Sequence, residues 1–163
     1  MQEDILTFTL PETKWLSNMQ EVVIPYGKLL FPSTENAYQA MKYLPTDLID
    51  VNGKLINRRY YISTLKPNAS KFYSLQNPLT NPDFMKKRVE IMRYFNKIKY
   101  NNPLLKARLL STGNCHLEEG NWWEDHFWGV DIKTRKGQNM LGKILMEIRA
   151  ELYEEFKHDQ SHS

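Results

Sequence analysis

Glu35, Gln39 and Lys42 are the residues whose types and spacing point first to chemistry. At about 100° per residue, seven helical positions return to within roughly 20° of the starting direction, so one helix would carry all three on a face two turns deep. Glu35 in the first turn suits the positive end of the helix macrodipole. A solvated Glu/Lys face has the same spacing and is the competing reading. If the face lines a dry cleft instead, desolvation favours the neutral Lys42 amine, which becomes a nucleophile. Glu35 would then carry protons.

A second constellation runs from Asn121 to Gly129 and interleaves Trp122, Trp123, Phe127 and Trp128 with Glu124, Asp125 and His126. Aromatic faces stack on bases, and a carboxylate such as Asp125 can bond a base edge or stabilise a sugar cation. Plain core packing of Phe127 or Trp128 is the alternative. Gly129 permits close backbone approach. A third, Arg135 to Asn139, places Gly137 and two cations before a helix, where free N–H groups would hold a phosphate. Its competing reading is a simple N-cap, and it lacks the spacing of a P-loop.

Other chemistries are poorly served. His116 and His126 with Glu118 or Asp125 form the only conceivable metal set, without HExxH spacing, and no metal or cofactor is expected. The lone Cys115 excludes an internal disulfide and, in a strand, reads as buried and inert. No GxGxxG appears. No stretch approaches the roughly 20 apolar residues of a membrane span, and the acidic start lacks leader features, so a cytoplasmic chain with no membrane partner is expected.

These residues need a scaffold. A chain of 163 residues with 41% hydrophobic and 25% charged content suits one globular domain, expected over residues 1–157, followed by a polar tail at 158–163. Val22–Ile24 and Lys28–Phe31 read as a hairpin around Pro25-Tyr26-Gly27. Ser33 or Thr34 caps a helix from Glu35 to about Tyr43, ended by Pro45. Between Thr46 and Asn81 the pattern predicts short helices and loops, with a turn at Gly53. Asn81-Pro82 and Asn102-Pro103 each open a helix. Cys115–Glu118 reads as a strand, and a last helix from near Asn139 carries Leu141, Ile144, Leu145, Ile148 and Leu152 on one stripe. The fold class is α+β, mainly helical around a small sheet. Net charge is only +3, yet eight basic residues stand against two acidic ones between Asp83 and Arg108. That region, from Lys86 to Arg108, could meet DNA, or be a solvated face.

In order, the motifs are Leu16-Ser17-Asn18, Phe31 to Lys42, Leu109 to Gly113, Leu117-Glu118-Glu119, Asp125 to Gly129 and Gly137 to Arg149. Together they resemble the NADAR, or YbiA-like, family over about Phe8 to Leu152. The resemblance implies a compact α+β fold and hydrolysis of the C–N bond between a ribose-type sugar and a base or amine. One branch of the family acts on phosphorylated ribosylamino-pyrimidines of riboflavin synthesis. Another removes ADP-ribose from guanine in DNA, the substrate class favoured for this chain. It also implies that Lys42 forms a Schiff base with the opened sugar, with Glu35 and Asp125 completing the catalytic set. Ser17, Asn18, Gln39, Trp128, Gly129, Gly137 and Asn139 make up the expected substrate-binding set. The sequence departs from the family pattern at Thr34 (usually Ser), at Asn36 (usually His) and at Ser70–Leu75, where an Ala-Lys-x-x-Gly-Arg stretch has lost its Gly-Arg. A non-catalytic ADP-ribose or nucleotide binder is the rival class, and a plain nucleic-acid binder the third.

Overall fold

Alternation of Ile24 and Phe31 toward one side builds the first element pair. In the computed structural model, which describes residues 3–162, β1 (Glu21–Tyr26) and β2 (Leu29–Ser33) form an antiparallel hairpin with Ile24 opposite Phe31, both fully buried. The register shifts between Glu21 and Ile24. Gly27, at φ +57°, makes the tight turn that the sequence places there.

The chain divides into two compact units, Asn18–Lys99 and the described residues up to Ser17 together with those from Tyr100 onward. At the heart of the Asn18–Lys99 unit is α1 (Thr34–Ala40), all seven residues of which are buried. Ser33 caps it, accepting from the Asn36 N–H, and the Ser33 hydroxyl donates back to Asn36 Oδ1. The helix stops at Ala40, earlier than the expected Tyr43. Asn81 Nδ2 takes the Met41 carbonyl, and the N–H groups of Thr80 and Asn81 both take that of Lys42. Pro45 supplies no N–H to continue the ladder. Met41, Lys42 and Tyr43 instead close tight turns onto Tyr38, Gln39 and Ala40.

Between Thr46 and Asn81 the expectation of helices and loops alone is corrected by a hairpin, β3 (Leu48–Val51) with β4 (Lys54–Asn57). Asn52 and Gly53, at φ +54° and +82°, form its two-residue turn, and Asp50 Oδ1 accepts from the Gly53 N–H. Helices α2 (Arg58–Ser63) and α3 (Pro67–Gln76) follow, then α4 (Phe84–Lys99), which buries Phe84, Met92 and Phe95.

In the other unit α5 (Pro103–Ser111) is capped by Asn102, whose side chain accepts from Leu104 and Leu105. The expected strand at Cys115–Glu118 reduces to a single parallel bridge between Leu117 and Ile5. The Ile5 N–H donates to the His116 carbonyl and the Ile5 carbonyl accepts from Glu118, whereas the Cys115 N–H turns back to Thr112. A two-residue parallel pair, β5 (Gly120–Asn121) with β6 (Val130–Asp131), lies just beyond. Helix α6 (Met140–Ser161) buries the predicted stripe and runs on past Lys157 into the expected tail. Buried Arg149 donates to Thr112 Oγ1 at 2.9 Å and to the Cys115 carbonyl at 2.8 Å, tying α6 to the end of α5. The architecture is α+β and mainly helical, with its strands in three two-stranded pairs. Among the described residues no helix is long and apolar enough to cross a membrane.

Candidate active site

The competing reading of the first constellation, a solvated Glu/Lys face, is corrected by burial. Glu35 is 7% exposed and Gln39 4%. Their spacing of four brings the side chains together, and Gln39 Nε2 donates to Glu35 Oε1 at 2.7 Å. Gln39 Oε1 and Thr34 Oγ1 are buried with no hydrogen-bond partner among the described residues. A buried amide oxygen left without a donor costs free energy, so Gln39 Oε1 is an acceptor that a water or a ligand donor can satisfy. The Asn18 carbonyl accepts from the Glu35 N–H at 3.0 Å, which fixes buried Asn18 against the start of α1. Asn18 Nδ2 donates to Met92 Sδ, and its Oδ1 accepts from Asn96. Ser17 precedes it, half-buried, at the end of a short 3-10 turn.

Lys42 lies in the turn after α1 rather than on its helical face, a correction that follows from the early stop at Ala40. It is half-buried, with Nζ 3.3 Å from Ser74 Oγ on α3 and 5.9 and 5.8 Å from the ring centres of Tyr38 and Phe84. Burial lowers the basicity of its amine, the Glu35 carboxylate opposes this, and the Lys71 cation adds to it; the net direction is down. An amine held this way is available as a nucleophile nearer neutral pH than a solvated lysine.

Asn36, where the resembled family has His, makes no contact of this kind. It is fully buried, and its Nδ2 donates to the carbonyls of Ile62 and Leu65 at 2.9 Å each. It is a brace between α1 and the end of α2.

The second and third constellations form one network in the other unit. Asp125 Oδ1 accepts from the N–H groups of Phe127 and Trp128. Asn121 clamps Asp125 on both sides, donating to its carbonyl at 2.8 Å and accepting from its N–H at 3.1 Å. Phe127 and Trp128 are half-buried and packed edge to face, while Trp122 and Trp123 stand exposed. Gly129 leaves no room for a Cβ, which would overlap the Glu119 carbonyl. Gly137, at φ +147°, would place one 2.5 Å from the Gly129 carbonyl. Both glycines therefore allow strands of backbone to meet.

Free N–H groups were the basis for expecting a phosphate at Gly137–Asn139, and the structure corrects that basis. The N–H groups of Gln138, Asn139, Met140 and Leu141 donate to the carbonyls of His126, Gly129, Phe127 and Trp128. Asn139, at φ +50°, accepts from Glu119 through Oδ1 and donates to the Leu117 carbonyl through Nδ2. Arg135 pairs with Glu118 at 3.0 Å. Burial works against the Glu118 carboxylate, but bonds from Arg135 and His116 outweigh it and hold Glu118 below the usual range. Among the described residues no group of three metal-ligating side chains is assembled.

The basic stretch Lys86–Arg108 is not a single surface. Lys86, Lys87 and Lys97 are exposed on α4, whereas Lys99 is fully buried, and Arg108, on α5, lies over the Trp15 ring at 6.0 Å. What the sequence did not reveal is the supporting role of Ser74 at Lys42, of Asn81 behind it and of Asn121 around Asp125. Asn81 was visible as a helix opener, but its second bond, to Met41, leaves no local pattern.

The arrangement is an α+β fold in which a buried helix carrying Glu35 and Gln39 leads into the half-buried Lys42. The chain belongs to the NADAR family, whose domain matches residues 7–153. It is 31% identical over 144 residues to a riboflavin biosynthesis protein of Vibrio vulnificus, covering 86% of this chain but only 36% of that protein. An N-glycosidase of Acanthamoeba polyphaga mimivirus is 35% identical over 77 residues, 40% of this chain and 45% of its own. The N-glycosidase YbiA of Escherichia coli is 27% identical over 159 residues, 93% of this chain and 91% of its own. The NMR structure of E. coli YbiA matches 95% of this chain and 88% of that one with a TM-score of 0.74 and 27% identity.

Proposed function

We propose that the protein is an N-glycosidase that hydrolyses the C–N bond between a phosphate-bearing ribose and a base or amine, with ADP-ribose on guanine in DNA as the favoured substrate. The observation that carries this reading is Lys42, half-buried and lowered in basicity, one turn beyond the buried Glu35–Gln39 pair. The neutral Lys42 amine bonds to the anomeric carbon as the bond to the base breaks. The Glu35 carboxylate takes the proton that the amine loses and passes it to the leaving nitrogen. Opening of the ring C–O bond then gives a protonated imine, the ring oxygen taking a proton from solvent, which is given back when the carbinolamine hydroxyl loses its proton in the last step. Water, deprotonated by Glu35, adds to that carbon, and Lys42 leaves as the amine with the sugar released. Gln39 Oε1 receives a sugar hydroxyl or N–H, with Asn18 held against the start of the same helix; Ser17, in the other unit, belongs to the proposed substrate-binding set. For the other unit we assign Asp125 to a sugar hydroxyl or base edge and Trp128 to stacking on a base, with Gly129, Gly137 and Asn139 in the substrate-binding set.

DNA as the carrier is supported by the exposed cations Lys86, Lys87 and Lys97 of α4. A second reading, hydrolysis of phosphorylated ribosylamino-pyrimidines, is supported by the names of the riboflavin biosynthesis relatives in Vibrio vulnificus and Arabidopsis thaliana. The test is a product assay on DNA carrying ADP-ribosylated guanine, with wild type beside Lys42→Ala. Release of ADP-ribose by wild type alone supports the proposal. Activity only on the small ribosylamines moves the assignment to the second reading, and tight binding without turnover of either leaves a non-catalytic binder.

A further inference from the structure

We infer that the outer face of α4 is a track for a single polynucleotide strand, with cations along its phosphates and the Tyr94 ring stacked on an unpaired base. That the strand carries the sugar to be cleaved rests on the glycosidase reading above; the track itself follows from α4. The helix buries Phe84, Met92, Phe95, Asn96 and Lys99 on one side. At about 100° per residue, Lys86, Arg93 and Lys97 lie within roughly 20° of one direction pointing away from that side, and Lys87 and Tyr94 flank them. Lys86, Lys87 and Lys97 are exposed and Arg93 is half-buried. Glu90 is the only acid in α4, so the face attracts a polyanion. From Lys86 to Lys97 the helix rises about 16 Å. That is the axial length of about five nucleotides at 3.4 Å each.

Tyr94 gives this face more than charge. Its ring is 52% exposed, yet it meets Tyr26 of β1 and Phe95 edge to face, with centres 6.3 and 5.3 Å away. These contacts fix the ring while half of it meets solvent. A fixed, exposed aromatic among cations is a stacking platform, and every base has a face to offer it. Within a duplex those faces are covered by neighbouring base pairs, so the ring favours a single strand. The near end of the track is the candidate site. Phe84, the first residue of α4, has its ring centre 5.8 Å from Lys42 Nζ. Lys42 is half-buried, so a nucleotide within a strand reaches it only out of the stack, which again calls for an unpaired base.

The test is binding without turnover: fluorescence anisotropy of the intact protein with a short, labelled, unmodified DNA strand of mixed sequence, and with its duplex, across a salt series. Contacts from Lys86, Lys87, Arg93 and Lys97 give a slope of log K against log salt of about −2.8 on the single strand, or roughly fiftyfold weaker binding at 200 mM than at 50 mM salt. Lys86→Gln combined with Lys97→Gln should flatten that slope by about 1.4. Tyr94→Leu keeps an apolar side chain against Tyr26 and Phe95 but has no ring face. It should weaken single-strand binding by roughly five- to a hundredfold at unchanged slope, with Tyr94→Phe near wild type. Equal affinity for duplex and single strand, untouched by Tyr94→Leu, would overturn the stacking role. No binding, or a slope unchanged in the double lysine variant, would overturn the track, as would binding to anionic lipid vesicles in place of either nucleic acid. A wild type that binds the strand as expected but hydrolyses none of the offered substrates counts against the glycosidase reading and leaves the track standing. Turnover of ADP-ribosylated DNA with the same KM in all these variants does the reverse.

Discussion

Gln39 Nε2 donates to Glu35 Oε1 at 2.7 Å within a helix buried on all sides, while Gln39 Oε1 has no partner. An ionised carboxylate only accepts, so the amide orientation is set by chemistry: nitrogen toward Glu35, oxygen on the other side of the amide. The pair therefore presents two acceptors to a ligand, a carboxylate and an amide oxygen. Both suit the hydroxyls of a sugar and neither suits a phosphate.

Gln39→Met keeps the volume and removes both the bond to Glu35 and the unpartnered amide oxygen. A hydrogen bond to a charged group is worth about 1.5–3 kcal/mol, so kcat/KM should fall by roughly ten- to a hundredfold. Steady-state kinetics on the substrate that wild type turns over checks this. A circular-dichroism melt shows that the variant is folded.

Lys42 gives the most direct chemical prediction. With substrate and cyanoborohydride, wild type should gain a reduced sugar adduct on the peptide containing Lys42, visible by mass spectrometry. Lys42→Ala should form none and lose activity by about a thousandfold or more. Lys42→Arg should not rescue it, because a guanidinium stays protonated and is no nucleophile. Full activity in Lys42→Ala would leave direct displacement by water, activated by Glu35, as the remaining route.

The sequence spacing was informative where local rules govern and silent where long-range bonds decide. Asn102-Pro103 and the Leu141–Leu152 stripe placed α5 and α6 because capping and periodicity are local. The β3–β4 hairpin carried a usable signal, the Asn52-Gly53 dipeptide, but its exposed Leu48 and Leu55 blur the alternation. For α1 the residue types were legible and the geometry was not. Beyond Ala40 the N–H groups of Met41, Lys42 and Tyr43 turn back three residues instead of four, and the Met41 and Lys42 carbonyls are taken by Thr80 and Asn81, some forty residues on. Likewise nothing local in Arg135–Asn139 reveals that the loop before it has already taken the N–H groups.

Asn36 tests whether restoring the family's usual residue helps. Its amide makes two donations and, with Ser33, a reciprocal cap, all fully buried. The larger ring of Asn36→His cannot repeat both donations, so the variant should lose about 1–3 kcal/mol of stability and gain no activity. Urea unfolding beside the kinetic assay measures both.

Asp125 separates support from chemistry. Asp125→Asn retains the Oδ1 that receives the N–H groups of Phe127 and Trp128, so unfolding free energy should stay within about 0.5 kcal/mol of wild type. Asp125→Ala loses both bonds and should cost about 1–2 kcal/mol. If the carboxylate also orients substrate, Asp125→Asn lowers kcat/KM despite its stable loop. Wild-type kinetics in Asp125→Asn would reduce Asp125 to a loop brace.

Lys99 predicts how stability responds to pH. It is fully buried at the end of α4, and desolvation brings it down to about 7 from an unfolded value of 10.5. Below pH 7 both states are protonated, and the whole penalty of burying the cation is present. Between 7 and 10.5 the unfolded chain holds the extra proton, so stability rises with pH at up to about 1.4 kcal/mol per unit. Above 10.5 both forms are neutral and the penalty is gone. Lys42, lowered in the same direction, adds to the rise. Tyr43, pushed up to about 12 chiefly by burial, reverses the trend only above its unfolded value of 10. Urea midpoints from pH 7 to 9.5 should therefore increase steadily, and Lys99→Met should be more stable at pH 7 with a flatter profile. A wild-type profile that falls over this range would show that Lys99 is not the group that controls it.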